Sequence, residues 1–192
     1  MGKASREVCQ GEVIQTQRRF DLTLTKKDYF RIIEMKTGAL FAAATGIAAS
    51  LSNVSEEVEQ KLYDYGMKLG TAYQIYDDCL DLVGTEAEVG KTLRTDLEKG
   101  KLTLPLLNLI EKASPAQRDK LNKRIIEQQP LDFPVLIGIA EYEGSVESAL
   151  DTASEMLKDA RKDLDILEAS EWHEGLSEIT RYLEGLLNEC RH

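Results

Sequence analysis

Residues 56–83 read EEVEQKLYDYGMKLGTAYQIYDDCLDLV, and this stretch predicts a long helix. Its apolar side chains recur at steps of three and four residues, the spacing that places them on one face of an α-helix. They are Val58, Leu62, Tyr65, Leu69, Tyr73, Tyr76 and Leu80. An apolar stripe of this length has to face other helices, so the stretch favours a helical protein.

Helical spacing also dominates the chain on either side of this stretch, and no segment shows sustained strand alternation between hairpin turns. Further helices are predicted at about 5–19, 26–51, 115–127, 133–142, 145–168 and 172–190, with helix resuming near Thr103. Ser52, Asn53 and Ser55 supply stop and N-cap chemistry before the long helix. We therefore predict an all-α fold in a single domain, residues 1–192.

Composition excludes several function classes. The 192 residues are 42% hydrophobic and 30% charged, which suits one domain with a real core, and the net charge of −10 disfavours binding to nucleic acid or anionic lipid. Three widely spaced cysteines give no disulfide framework, and the first ten residues lack an apolar signal core. We therefore expect a cytoplasmic location.

The longest apolar stretch, 38–51, is mostly Gly and Ala. It is shorter than the roughly 20 residues that a membrane span requires. We predict a closely packed helix there, and no membrane span.

An acidic cluster stands near the end of the long helix, where Gln74, Asp77, Asp78 and Asp81 have the spacing to share a face. Like charges repel, and carboxylates at a helix C-terminus oppose its dipole, so the cluster costs stability unless a cation neutralises it. Mg²⁺ bridging these oxygens to a diphosphate would do so. The alternative is a solvated acidic face, which a motif of this kind most often is in a charged chain.

Two further features place positive charge where an anion could bind. Lys36 interrupts an otherwise apolar helical stripe, so either it pairs with an anion or its side chain reaches past the stripe to water. The polar loop 84–100 contains Gly90-Lys91 and leads into Gly100-Lys101, which flank Asp96 on flexible backbone.

Together these motifs follow a known order. Residues 73–81, YQIYDDCLD, resemble the second aspartate-rich motif of the trans-isoprenyl diphosphate synthases. Gly90-Lys91, Asp96-Leu97 and residues 100–105, GKLTLP, resemble the signature that follows it, while Lys36-Thr37-Gly38 and Gly11-Glu12 with Gln15 resemble motifs that precede it. The chain therefore resembles the C-terminal portion of this family over essentially its whole length.

The resemblance implies a helical bundle of the isoprenoid synthase type, truncated here at its N-terminal half. It implies a Mg²⁺-dependent enzyme that condenses isopentenyl diphosphate with an allylic diphosphate in trans geometry, and it implies a homodimer. Matching positions imply the roles of the site residues. Asp77, Asp78 and Asp81 would hold Mg²⁺ directly or through water, with Asp96 outside them. Lys36, Lys91 and Lys101 would clamp the diphosphate, and Thr37 and Gln74 would lie near the reacting carbon.

Two departures from the family pattern matter. Arg94 stands where many members have Gly, and Asp77-Asp78 is the sole adjacent aspartate pair, so the family's first aspartate-rich motif is absent. The isolated chain is therefore expected to be inactive as an enzyme. The rival interpretation is a non-catalytic partner or regulatory half-subunit of a complete synthase. A class I terpene cyclase, which also uses an aspartate-rich motif, is disfavoured by the Gly-Lys loop.

Overall fold

The computed structural model describes residues 2–84, 90, 92–127 and 133–191. In these residues all regular structure is helical, which confirms the predicted all-α class. The elements are α1 (Gly2–Gln17), α2 (Lys26–Ile33), a π-helical turn (Glu34–Gly38), α3 (Ala39–Leu51), α4 (Glu56–Val83), α5 (Thr95–Glu98), α6 (Leu104–Lys112), α7 (Pro115–Ile126), α8 (Phe133–Ala140), α9 (Ser145–Asp163), a 3₁₀ turn (Leu164–Ile166) and α10 (Glu171–Glu189).

Helix α4 is the centre of the fold. It packs along α3 on one side and along α9 on another, and α6 and α10 pack in turn against α9. Tyr65 and Ile75 of α4 are completely buried in the shared core. Helix α4 is thus the axis around which the other helices gather, and the acidic motif lies at its end. The predicted apolar stripe is only in part its buried face, since Tyr65 and Leu69 are buried whereas Tyr73 is exposed.

The contact between α3 and α4 is unusually close because small residues line it. A Cβ atom added to Gly70 would lie 2.8 Å from the Phe41 ring and 3.0 Å from the Cα atom of Gly38. Real side chains do not fit at such distances, so the two backbones approach each other directly. This contact fixes the register between the π turn, which ends at Gly38, and the second half of α4.

Side-chain caps begin α4, where Ser55 was predicted, and α2, where Thr25 was not. The Ser55 hydroxyl accepts a hydrogen bond from the backbone N–H of Val58 and begins α4, and Thr25 forms a reciprocal capping box with Asp28 at the start of α2. Other boundaries were predicted wrongly. Helix α9 ends at Asp163 and tightens into a 3₁₀ turn, so it does not run to 168. The loop 84–100 contains the one-turn helix α5.

The helical run Lys26–Leu51 is 26 residues long and apolar enough, by length and composition alone, to cross a membrane, with a mean hydropathy of 1.3 over its most apolar window. In that window 39% of the residues are buried against the rest of the chain, and core helices of soluble proteins pass the same test. The absence of a membrane span stays a prediction.

Candidate active site

Lys36 and Thr37 lie in the π-helical turn, Glu34–Gly38, where the sequence predicts unbroken α-helix. A π turn holds one more residue than an α turn, and such turns are frequent at functional sites. The prediction of one straight helix from 26 to 51 was wrong here. The extra residue changes the direction in which both side chains point relative to the α-helices on either side.

Lys36 is paired with acidic and amide groups of α1. Its Nζ atom lies 3.0 Å from Oε2 of Glu12 and donates a hydrogen bond to Oε1 of Gln15. The hydrogen bond from Lys36 is the main reason that the pKa of Glu12 lies below its usual value. The Lys36 side chain is 26% exposed, so the ammonium is held at the edge of the core rather than extended into water.

A chain of hydrogen bonds joins three elements through the acidic motif. The Tyr29 hydroxyl of α2 donates to Oδ2 of Asp78 at 2.7 Å, and the Gln74 amide donates to Oδ1 of Asp78 at 2.9 Å. Gln74 in turn accepts from the Thr37 hydroxyl at 2.7 Å. Three residues predicted for the site, Thr37, Gln74 and Asp78, are therefore in direct contact. Tyr29 was not predicted, although a tyrosine on a core face usually needs a partner for its hydroxyl.

Asp78 is a buried carboxyl group, with 4% of its surface exposed. Its pKa is raised from 3.8 to about 7, with burial as the main cause; the nearby Asp96 and Asp77 carboxylates contribute to the rise, and the hydrogen bonds from Tyr29 and Gln74 oppose it. Burial also raises the pKa of Tyr29 well above its usual value, with the Asp78 carboxylate as the next cause. The sequence indicated charge repulsion in this motif, and the structure adds desolvation as the larger cost.

The other two aspartates of the motif differ in their surroundings. Asp77 is partly exposed, whereas Asp81 is 5% exposed and accepts the backbone N–H groups of Thr95 and Asp96. The carboxylates of Asp78 and Asp81 therefore turn inward, while that of Asp77 stays accessible to solvent.

The end of the loop after the motif is tied to the segment that connects α1 and α2. The Lys101 ammonium contacts the Asp96 carboxylate, and the Phe20 N–H donates to the Gly100 carbonyl at 2.8 Å. Gly100 has φ +71, a conformation that favours glycine, and its Cα lies against the Phe20 ring. Asp96 and Lys101 are thus brought together. Lys91, predicted for the same site, lies outside the described residues.

The donor set fits a shared Mg²⁺ ion better than an ion held by protein alone. Within the described part of the chain, no group of three or more His, Cys, Asp or Glu side chains is arranged to hold a metal. Mg²⁺ usually keeps several waters and takes one or two carboxylates plus substrate phosphates. A partly exposed Asp77 beside the buried Asp78 and Asp81 suits that arrangement, since each carboxylate oxygen has a second lone pair.

Comparison with known proteins identifies the family. The family model described as polyprenyl synthetase matches residues 1–133, which is more than half of the chain. The chain belongs to the polyprenyl synthetase family. Among curated members, the octaprenyl diphosphate synthase of Escherichia coli (strain K12) is 36% identical over 179 residues, which cover 92% of this chain and 55% of that protein.

Two further polyprenyl synthetase relatives bear on the site. Component 2 of the heptaprenyl diphosphate synthase of Bacillus subtilis (strain 168) is 30% identical over 177 residues, covering 92% of this chain and 50% of that protein. A polyprenyl synthase from Caulobacter crescentus CB15, solved with calcium and isoprenyl diphosphate, superposes with a TM-score of 0.86 at 34% identity over 95% of this chain and 56% of that one. The chain spans about half the length of the relatives it matches.

Proposed function

We propose that this chain supplies the second metal and diphosphate site of a trans-isoprenyl diphosphate synthase, a transferase that condenses isopentenyl diphosphate with an allylic diphosphate. The observation that carries the proposal is the direct contact between residues of two separate family motifs. Thr37 of the Lys-Thr motif is hydrogen-bonded to Gln74, which is hydrogen-bonded to Asp78 of the aspartate-rich motif. Motifs some 40 positions apart in sequence thus form one site in a family whose substrates are diphosphates.

Mg²⁺ is the cofactor that this donor set suits. Asp77, Asp78 and Asp81 would hold it directly or through water, with Asp96 outside them. When bound, the ion would neutralise charge that develops on the departing diphosphate. The polyprenyl synthase from Caulobacter crescentus CB15, solved in complex with calcium and isoprenyl diphosphate, supports a divalent cation and a prenyl diphosphate as ligands of this fold.

The lysines provide positive charge at the same site. Lys36 now pairs with Glu12, and Lys101 with Asp96, so both ammonium groups are held in place by carboxylates before a ligand arrives. A diphosphate, with Lys91 as a third contact, would compete with those carboxylates for the ammonium groups. Preorganised positive charge of this kind stabilises a leaving anion without reorganisation. Thr37 and Gln74 present oxygen dipoles near the position where an allylic cation would form.

A second candidate function is a non-catalytic or regulatory half-subunit that acts with a complete synthase. The relative from Bacillus subtilis, named as component 2 of a heptaprenyl diphosphate synthase, favours this alternative because its name indicates a synthase of more than one component. The two functions differ in what the chain does alone and when mixed with a complete synthase. A partner subunit changes the rate or product length of that synthase, whereas an incomplete enzyme leaves both unchanged.

Calorimetry with inorganic diphosphate tests the metal and diphosphate site. We expect binding in the presence of Mg²⁺ that weakens at least tenfold in chelator, and that weakens in Asp77→Ala while the melting temperature is retained. Asp159→Ala, an exposed aspartate on α9, is the matched charge control and leaves the affinity unchanged. Equal affinity with and without chelator would contradict the metal role.

Turnover tests the catalytic part of the proposal. We expect little or no prenyl transfer when the isolated chain is mixed with geranyl or farnesyl diphosphate, labelled isopentenyl diphosphate and Mg²⁺, because a misplaced ion and an unpositioned second substrate forfeit most of the rate. Robust turnover that disappears in Asp77→Ala would show that the chain is complete as a catalyst. A homodimer and a cytoplasmic location stay predictions, which sedimentation and cell fractionation can test.

A further inference from the structure

Helix α5, Thr95–Glu98, lacks a cap of its own. Arg94, the residue before it, makes no side-chain capping hydrogen bond and has φ +64 and ψ 13, in the left-handed region. An L-residue in that region costs roughly 1 kcal/mol or more, and the first N–H groups of a helix have no partner within it. A single turn of helix with both faults would not be expected to form unaided.

Asp81 of α4 supplies what this helix lacks. Its carboxylate accepts the N–H of Thr95 at 3.3 Å through Oδ1 and the N–H of Asp96 at 3.1 Å through Oδ2, and its backbone carbonyl accepts the N–H of Arg94 at 2.9 Å. Three successive backbone donors therefore converge on one residue. Negative charge at a helix start is also favourable for the helix dipole.

The turn held by Asp81 carries a predicted diphosphate ligand. The Asp96 carbonyl accepts the N–H of Lys101 at 2.9 Å, and the Asp96 carboxylate contacts the Lys101 ammonium. Leu97, between them in sequence, is buried and anchors the turn in the core. Asp81 is thus connected to Lys101 through backbone hydrogen bonds and one ion pair, with no exposed link between them.

We infer that Asp81 is a positioning residue, whose carboxylate holds α5 and through it the Lys101 ammonium in the orientation that meets a diphosphate. The inference rests on the proposed function, and it gives the last aspartate of the motif a task that does not depend on the metal. Arg94 has a positive φ directly before this turn, so the hydrogen bond that its N–H donates to the Asp81 carbonyl also offsets the cost of that left-handed backbone.

Amide hydrogen exchange of the ligand-free chain tests the positioning role without any ligand. In Asp81→Asn, one backbone N–H faces the new amide group and the negative charge is lost, so we expect exchange at Thr95 and Asp96 to speed up at least tenfold. In Asp77→Asn, the matched control on the same helix, exchange at these amides stays as in the parent. Unchanged exchange in Asp81→Asn would overturn the inference, whatever the chain binds.

Titration with inorganic diphosphate, in Mg²⁺ and in chelator, then separates positioning from metal ligation. We expect Asp81→Asn to weaken binding about tenfold in chelator, where no metal contact contributes, because Lys101 is misplaced, and at least as much in Mg²⁺. Asp77→Asn should weaken binding in Mg²⁺ and leave binding in chelator unchanged. A loss confined to Mg²⁺ in Asp81→Asn would show that its carboxylate serves the metal only and would refute the positioning role. No binding by the parent in either condition would instead refute the proposed function and, with it, the inference.

A second substitution, added to Asp81→Asn, should restore part of the lost affinity, which is not expected if Asp81 acts only as a metal ligand. Arg94→Gly removes the cost of the left-handed backbone, so adding it to Asp81→Asn should recover about fivefold of the lost affinity and slow exchange at Thr95 and Asp96. Adding Arg94→Ala removes the same charge, keeps the backbone cost and should recover nothing. Equal effects of Gly and Ala would contradict the inference.

Discussion

In the metal-free chain, replacing Asp78 with asparagine should stabilise the fold at neutral and higher pH. The carboxyl group is 4% exposed, and burial raises its pKa from 3.8 to about 7. Because the folded chain holds this proton more tightly than the unfolded chain, stability is greatest below pH 3.8 as far as this group is concerned. The contribution of the Asp78 carboxyl group to the free energy of unfolding falls as pH rises from 3.8 towards 7, and above pH 7 it stays constant.

The size of the effect follows from the two pKa values. A carboxyl group whose pKa is 3.8 when unfolded and about 7 when folded lowers the free energy of unfolding by about 4 kcal/mol across that pH range. An asparagine carries no charge at any of these pH values and avoids the loss. For a chain of this length, the difference corresponds to a melting temperature about 10 °C higher at pH 8.

The hydrogen-bond chain around Asp78 can accept the amide. An asparagine carbonyl can take the bond from Tyr29, and its amide group can donate to Gln74 once the Gln74 amide is reversed. Gln74 can then donate to the Thr37 hydroxyl, which accepts as well as donates. The substitution therefore removes the charge while keeping both buried contacts satisfied.

Thermal melts of parent and Asp78→Asn in chelator, at pH 5 and pH 8, measure the effect. The parent should lose stability between the two pH values and the variant should lose much less. Asp77→Asn, which makes the same charge change one residue earlier at a more exposed position, is the control and should show a smaller gain. If Asp78→Asn melts below the parent at pH 8, or if both variants gain equally, the buried charge is not the cause of the cost. Mg²⁺ with diphosphate should stabilise the parent more than Asp78→Asn.

Three further substitutions have definite expected outcomes. Gly70→Ala should lower the free energy of unfolding by about 2 kcal/mol, because its Cβ atom would lie 2.8 Å from the Phe41 ring; an unchanged denaturation midpoint would mean that the two helices can separate freely. Arg94→Gly should raise the free energy of unfolding by about 1 kcal/mol, since φ at this position is +64. A lower free energy of unfolding in this variant would contradict the backbone strain. Tyr29→Phe removes one of the hydrogen bonds that stabilise the charged Asp78 carboxylate. It should therefore lower the free energy of unfolding by about 2 kcal/mol at pH 8 and by much less at pH 5. An equal loss at both pH values would show that Tyr29 contributes through packing alone.

Helix α4 shows what can be predicted from sequence. The predicted range 56–83 is the observed one, Glu56–Val83, because the apolar stripe, the Ser55 cap and the polar residues that follow all agree. Each of these signals is local. The reciprocal pair of Thr25 and Asp28 before α2 is also a local signal, although only the start of that helix at residue 26 was predicted.

The π turn shows what cannot be predicted in this way. The apolar pattern of residues 26–51 continues through Glu34–Gly38, and one extra residue per turn shifts it too little to be visible in a short segment. Packing sets the turn, through α1 on one side and the close α3–α4 contact on the other. Those partners are known only once the fold is known.

The site was predictable in its composition and less so in its geometry. Adjacent residues of a helix point about 100° apart, so Asp77 and Asp78 cannot both face the same neighbour. Which of the two is buried depends on where α2 lies, and the sequence does not reveal this. The buried partner Tyr29 and the anchoring role of Asp81 were missed for the same reason.

The π turn also affects how this segment can change over generations. A turn that holds one surplus residue can lose it by a single-codon deletion and close into regular α-helix without breaking. The price is a rotation of about 100° between the helices on either side. Here the rotation would turn Lys36 and Thr37 away from α1 and α4, or would slide the Gly38–Gly70 contact out of register. Insertions and deletions in 34–38 should therefore be purged by selection even where the helix itself would tolerate them, so the length of this segment is as much a functional trait as its side chains.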